Sequence, residues 1–222
     1  ARNRSGRTLL NWGASIGFTV VTTVVALVST PILLRFLGDE RMGSWRALLE
    51  VTTYIALADI GMSNATAIAI TRARNSPVPN ALNETFFSAQ RTHIRLLAWV
   101  LPAALGLAVA TPWFIDVSSD LRGEFAVAAV VLVTGTVAYP LNPATFALEA
   151  AHQRYITSAI QIAQSVVTTI ACVGFASLGW GLVGQAGATA GSGVIAAAVI
   201  WAFAIRRLSL RRPESVDAIP IP

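Results

Sequence analysis

The chain is 222 residues long, 55% apolar and only 12% charged, with a mean hydropathy of +0.63. A soluble domain carries about twice that charged fraction, so a water-covered globule is excluded and lipid must cover the apolar surface. The net charge of +5 rests on 16 basic residues, all arginine; they gather at the ends of apolar runs without aromatic–basic interleaving, which argues against a nucleic-acid partner.

The composition therefore predicts an all-α integral membrane protein. A helix needs about 20 largely apolar residues to cross the hydrocarbon core. Six runs qualify, at about 10–37, 45–70, 94–114, 125–148, 156–178 and 182–205, with a tail or linker at 209–222. The first run is too long for a cleaved leader. It continues through Pro31 to Arg35 and lacks a small-residue cleavage site, so it is expected to stay in the protein. Within it Asn11, Ser15, Thr19 and Thr22 recur at helical spacing, which places them on one face. Arg35 lies close to the far end, where it either snorkels to headgroups or offers a forked donor to a phosphate.

The second run carries a similar stripe, Thr52, Asp59, Ser63 and Thr66. Asp59 is the sharpest signal in the chain, because an acid mid-span costs about 2.5–3.5 kcal/mol on insertion scales. It reads either as an ion- or proton-coupling group or as a buried acid bonded to Ser63 or a neighbouring helix. Glu50 lies nine positions away, on the opposite face, so the two acids are not a pair. A polar segment at 71–91, including Asn75-Ser-Pro-Val-Pro-Asn80, separates the second and third runs.

Pro31, Pro102, Pro112, Pro140 and Pro143 fall within or beside spans, and each removes a backbone donor and tends to bend a helix. The fifth run shows a third stripe, Thr157, Gln161, Gln164 and Thr168. Hydroxyls are common helix-packing groups in membranes. The two Gln amides stand between packing and lining a cavity, since each must satisfy several hydrogen bonds away from water. Three stripes on three helices point to a shared polar interior. In the sixth run the small-residue stretch Gly184–Gly193, with Gly187-Ala-Thr-Ala-Gly191 matching G-x-x-x-G, predicts close helix packing.

With a cytoplasmic N-terminus, the inside segments hold Arg2, Arg4, Arg7, Arg72, Arg74, Arg91, Arg95, Arg154, Arg206, Arg207, Arg211 and Arg212. The outside segments hold Arg35, Arg41, Arg46 and Arg122. Twelve against four is the positive-inside bias, and it predicts both termini on the cytoplasmic side.

Several motifs are decoys. Gly179-Trp-Gly181-Leu-Val-Gly184 matches G-x-G-x-x-G but no strand precedes it, so it is a turn between two spans. Asn83-Glu-Thr85 is a glycosylation sequon on the predicted cytoplasmic side. His93 and His152 lie apart without cysteine or acid clusters, so no metal or cofactor is expected. Cys172 stands alone in an apolar run, and no hydrolase, metalloprotease or nucleotide-binding motif appears, so the chain is not expected to be an enzyme.

Two stretches resemble polysaccharide flippases of the multidrug/oligosaccharidyl-lipid/polysaccharide (MOP) exporter superfamily, the Wzx-like group. Pro31-Ile-Leu-Leu-Arg35-Phe-Leu-Gly38-Asp-Glu-Arg-Met-Gly43-Ser-Trp45 looks like the family's P-L-L-x-R-x-L-G-x-x-x-Y-G-x-W region joining the first two helices, with Met42 in place of Tyr. Leu57-Ala-Asp59-Ile-Gly61-Met-Ser-Asn64-Ala65 is similar to its L-x-D-x-G-L-x-N-A. The turn at 179–184 is also similar to the region before that family's sixth helix. The specific part of the likeness covers about 35 residues.

The resemblance implies a bacterial inner-membrane protein of the MOP/MATE-like fold, in which two six-helix lobes enclose a cavity. Such proteins flip undecaprenyl-diphosphate-linked oligosaccharide, as in O-antigen and lipopolysaccharide assembly, by alternating access. Arg35 and Asp59 are the positions to which it points. The implied translocation path also takes in Asn11, Ser15, Thr19, Ser63, Gln161 and Gln164. Six spans amount to one lobe, so the chain is expected to be an N-terminal half or a half-size protein that homodimerises, with membrane lipid and a second lobe as partners. The other readings are a MATE-like ion-coupled drug exporter using Asp59, and a non-transporting membrane scaffold of a polysaccharide-assembly complex.

Overall fold

The computed structural model describes the backbone of residues 2–57, 60–115 and 117–211, and side chains from residue 12 onward except at 54–60. Among these residues the structure is all helical. It comprises α1 (Arg2–Leu57), α2 (Ile60–Arg74), α3 (Ala81–Phe114), α4 (Arg122–Thr134), a 3-10 segment (Gly135–Leu141), α5 (Pro143–Ala150), α6 (Arg154–Ser177) and α7 (Gly181–Leu208). Five stretches are long and apolar enough to cross a membrane: Trp12–Thr53, Ala81–Phe114, Arg122–Leu141, Arg154–Ser177 and Gly181–Leu208.

The first of these is 42 residues, about 63 Å if straight and twice a bilayer's hydrocarbon thickness. It is not straight. Gly38 has φ 77° and ψ 169°, a conformation essentially confined to glycine, and it breaks α1 between Leu37 and Asp39. Pro31 leaves no comparable break. Immediately before it, the Thr30 hydroxyl donates to the Ala26 carbonyl at 2.7 Å.

Two buried clusters mark the ends of the bundle. One joins Leu33, Leu37, Met42 and Trp45 of α1 to Ala108 of α3, Leu121 and Phe125 at the start of α4, Ala176 of α6 and Leu182 of α7. It therefore gathers the Gly38 break, the 115–121 connection and the 178–180 turn at one pole. The other joins Ile70 of α2, Phe86 of α3, Ala147 and Leu148 of α5, Ile200 and Ala204 of α7, and Leu210. It gathers the 75–80, 151–153 and 209–211 connections at the opposite pole. For helices of this length and apolarity in a bilayer, lipid tails are as apolar as leucine, so burial alone would not drive them together; close packing of small residues such as Ala128, Ala144, Ala186 and Ala204, all fully buried, does so.

The outward surface has the reverse character. Trp99 and Phe114 are each 81% exposed, and Leu27, Ile170 and Ile195 project freely. An exposed apolar surface of this extent needs a non-aqueous environment or a partner to cover it.

Three sequence expectations change. The 71–91 polar segment is mostly helix: α2 runs to Arg74 and α3 begins at Ala81, leaving only 75–80 as a connection. The fourth run is not one α-helix, because the 3-10 segment containing Pro140 separates α4 from α5, which starts at Pro143. The close packing expected of the Gly184–Gly193 run does not fall on its G-x-x-x-G pair among the described residues, since a Cβ at Gly187 or Gly191 would meet nothing within 4 Å. Close approach occurs instead at Gly184, beside Phe175 and Trp180, and at Gly135, beside Ala190. Of the tail at 209–222, residues 212–222 lie outside the described residues.

Candidate functional site

Between the two clusters lies a cavity of about 410 Å³. Its walls come from α1, α3, the α4/3-10 junction and α7. The polar groups are Thr52, Thr136, Tyr139, Asn142 and Thr189; the rest is apolar, including Leu49, Leu97 and Leu132. The Thr52 and Thr136 hydroxyls donate to the Leu49 and Val133 carbonyls, each at 2.7 Å. Their donors are thus engaged, and their lone pairs are what they can offer a guest. Asn142 adds an amide with donor and acceptor capacity. The cavity suits a neutral hydroxyl-bearing or amide-bearing group, or water, better than an ion.

The 3-10 segment places Thr136 and Tyr139, three residues apart, on one edge, because 3-10 side chains at i and i+3 eclipse. Behind Tyr139 sits His93, fully buried, with ring centroids 4.7 Å apart. His93 Nδ1 lies 2.8 Å from the Ala89 carbonyl, which assigns Nδ1 as the protonated nitrogen. Nε2 is enclosed and has no hydrogen-bond partner among the described residues.

The α6/α7 wall is held by polar ties. Gln185, fully buried, donates from Nε2 to the Cys172 carbonyl at 2.8 Å, and the Thr168 and Ser192 hydroxyls lie 2.6 Å apart. At the Gly38 pole a carboxylate links three elements. Glu124 of α4 accepts from Arg41 Nε at 3.1 Å and from the Leu182 backbone N–H, in the first turn of α7, at 2.5 Å.

The residues singled out in the sequence are dispersed. Arg35 is exposed one turn before Gly38, while its motif neighbours Leu33, Leu37, Met42 and Trp45 are core. Asp59 lies outside the described residues, as does the side chain of Asn11. Ser15 is half-buried, and its carbonyl accepts the Thr19 hydroxyl at 3.2 Å; Thr22 likewise bonds its own helix, at the Phe18 carbonyl. Ser63 is half-buried and has a partner. Gln161 and Gln164 are half-buried on α6, and the Gln164 amide nitrogen approaches Gly193 of α7. None of the described members of this set lines the cavity, although Thr52, a member of the second-run stripe, does.

Sequence reasoning missed Thr136, Tyr139, Asn142, Glu124 and Gln185. Stripes along single helices cannot reveal a cavity whose polar groups come one or two from each of several elements. The available signal was Tyr139-Pro140-Leu-Asn142-Pro143, a polar cluster with two prolines inside an apolar run, where a broken helix exposes backbone and side chains together.

Fold and surface together define the class: an all-α chain whose helices have the length and apolarity of a multi-pass membrane protein. Compared with known proteins, the chain matches no family model, no curated protein and no solved structure.

Hydration of the cavity is directly testable. In a Cys172→Ser background, Thr52→Cys and Asn142→Cys should react with a polar maleimide at least about tenfold faster than Ile170→Cys, which faces outward, because a thiol in hydrocarbon cannot ionise. Equal or slower labelling at both cavity positions would mean a dry, closed space.

Proposed function

We propose that this chain is one six-span lobe of a lipid-linked oligosaccharide flippase of the MOP type, embedded in a bacterial inner membrane with both termini cytoplasmic. The 42-residue apolar stretch then holds the first span, up to Leu37, and the beginning of the second, which runs on over 45–70 into α2; this brings the five apolar stretches to six. The observation that carries the reading is this break. Gly38 lies inside the Pro31–Trp45 motif, at the point where the resemblance locates the join between the first two helices. The distribution of arginine supports the orientation: Arg72, Arg74, Arg154, Arg206 and Arg207 belong to the pole of the 75–80 and 151–153 connections.

A flippase must carry a charged, sugar-bearing headgroup through the bilayer while its lipid tail stays in hydrocarbon. One lobe supplies one wall of such a path, and the second lobe comes from the same chain or from a second copy. Arg35 attends the diphosphate and Asp59 the coupling ion, with Ser15, Thr19, Ser63, Gln161 and Gln164 as polar lining. Asp59 also favours a second reading, an ion-coupled drug exporter, because a mid-span acid is what cation coupling requires.

Complementation tests the proposal. The complete reading frame and this 222-residue chain are placed separately in a flippase-deficient strain with matched glycan machinery. The complete frame should restore surface polysaccharide, and Arg35→Ala or Asp59→Ala within it should abolish most of that export. Unchanged export in both variants at normal expression removes the site assignment. Failure of the complete frame to rescue, together with raised drug resistance, selects the exporter instead.

A further inference from the structure

A second groove, of about 470 Å³, lies between the N-terminal half of α3 and the C-terminal end of α7. Its α3 wall is Phe87, Gln90, Arg91 and Ile94, at helical spacing on one face; Trp201 and Ile205 form the α7 wall. Leu210 closes one end, where the Arg211 backbone N–H donates to Asn83 Oδ1 at 3.3 Å and ties the chain back to α3. α5 fills the space beneath, with Ala147 and Leu148 packed beside Phe86 and Ala204.

Three features of this groove point to the same guest. First, the indole N–H of Trp201 is shut off from solvent and has no acceptor among the described residues, although buried Trp nitrogens ordinarily find one. Second, the surroundings are cationic. Arg91 lines the groove, Arg95 stands one turn beyond it, and Arg206, Arg207 and Arg211 are exposed around its α7 end. The nearest acid on α3, Glu84, is two turns from Arg91. Third, the depth is right. Trp180 and Trp201 are separated by about 31 Å along the α7 axis, close to the hydrocarbon thickness of a bilayer, so Trp201 stands at headgroup level when Trp180 marks the opposite face.

We propose that this groove binds one anionic phospholipid of the surrounding bilayer, with the phosphate on Arg91 and a glycerol-ester carbonyl accepting from Trp201. A guanidinium has five donors in a planar fork, so Arg91 takes a phosphate while keeping its contact within the protein. Phe87, Ile94, Ile205 and Leu210 give the upper acyl chain an apolar bed. The Trp201 N–H is enclosed, so the ring turns toward the groove on binding, and the ester carbonyl then supplies the acceptor that the indole otherwise lacks. The inference rests on the chain being embedded in a membrane and not on its transporting anything. Loss of flippase activity therefore leaves it standing, and loss of lipid binding leaves the flippase reading standing.

The test is native mass spectrometry of the 222-residue chain released from nanodiscs containing equal phosphatidylglycerol and phosphatidylcholine. One phosphatidylglycerol should survive release. Arg91→Ala should reduce its retention about fivefold, the contribution of one basic residue near an anionic lipid surface. Trp201→Phe, which keeps an aromatic ring and removes the donor, should reduce it about twofold to tenfold, the value of one hydrogen bond. Arg206→Ala should change it less, since that side chain is exposed beside the groove. If Arg91→Ala does not fold, Arg91→Gln and Trp201→Phe carry the test. Equal retention of phosphatidylcholine, or full retention in the Arg91 and Trp201 variants, overturns the proposal. So does saturation of the Trp201 fluorescence response by millimolar inorganic phosphate in lipid-free detergent, which would make the groove a small-anion site.

Discussion

Gly184→Ala should destabilise the α6/α7 hairpin while Gly187→Ala, one turn along the same helix, should not. A Cβ at Gly184 would stand 2.7 Å from the Phe175 Cβ and 2.8 Å from the Trp180 Cβ. Both obstacles lie against backbone, and the Phe175 and Trp180 rings are stacked with centroids 5.0 Å apart, so neither can rotate away freely. Overpacking of this kind costs about 1–3 kcal/mol. Alanine's better helix propensity returns about 1 kcal/mol, leaving a net loss of up to about 2 kcal/mol. At Gly187 there is open space, so only the propensity gain remains. Cys172, the sole cysteine in the sequence and buried, is a built-in reporter: its reaction with a thiol-activated dye on heating measures unfolding. Gly184→Ala should lower the midpoint and Gly187→Ala hold or raise it. Equal shifts would refute the packing assignment.

Glu124→Ala should be the most damaging single change to the tie between Arg41, Glu124 and the Leu182 amide at the Gly38 pole. The carboxylate satisfies a first-turn amide of α7, where an anion also complements the helix dipole, and it pairs with Arg41. Removing it leaves the Leu182 N–H without its acceptor, at about 1–3 kcal/mol. Arg41→Ala should cost at most about 1 kcal/mol, because the guanidinium side is 45% exposed and such pairs are well screened. Glu124→Gln, which keeps an acceptor oxygen and loses the charge, should fall between the two. Thermal unfolding in one detergent orders the three variants, and an Arg41→Ala shift as large as that of Glu124→Ala would show that the ion pair, not the amide cap, holds α7.

The membrane class was legible because it depends on sums: few charges, long apolar runs and arginine at their ends. Local geometry was not legible for specific reasons. α3 begins 13 residues before its apolar run because Phe86, Ala89 and His93 form a helical-period stripe inside a segment polar on average, containing Asn83, Glu84, Gln90 and Arg91. A hydropathy window averages that stripe away. The close packing expected of the Gly184–Gly193 run falls at Gly184 and not at its G-x-x-x-G pair, because spacing states which glycines share a face and not whether a helix lies opposite that face. Glu124 and Gln185 escaped notice since each acts on the backbone of another element, a partnership that no spacing within the chain reveals.

The short 3-10 segment has a consequence for helical phase. Seven residues at 120° each turn the chain about 140° further than the same residues would at an α-helix's 100°, and lengthen that wall by about 3.5 Å. α4 and α5 are therefore rotated out of register with one another, although they lie along one continuous path. That offset lets Ala128 and Leu132 face the first cluster while Ala144, Ala147 and Leu148 face the second. If this stretch rewound as an ordinary helix, α5 would swing its small-residue face away from Ile200 and Ala204. The lower half of the bundle would then have to be repacked around a different side of the same helix.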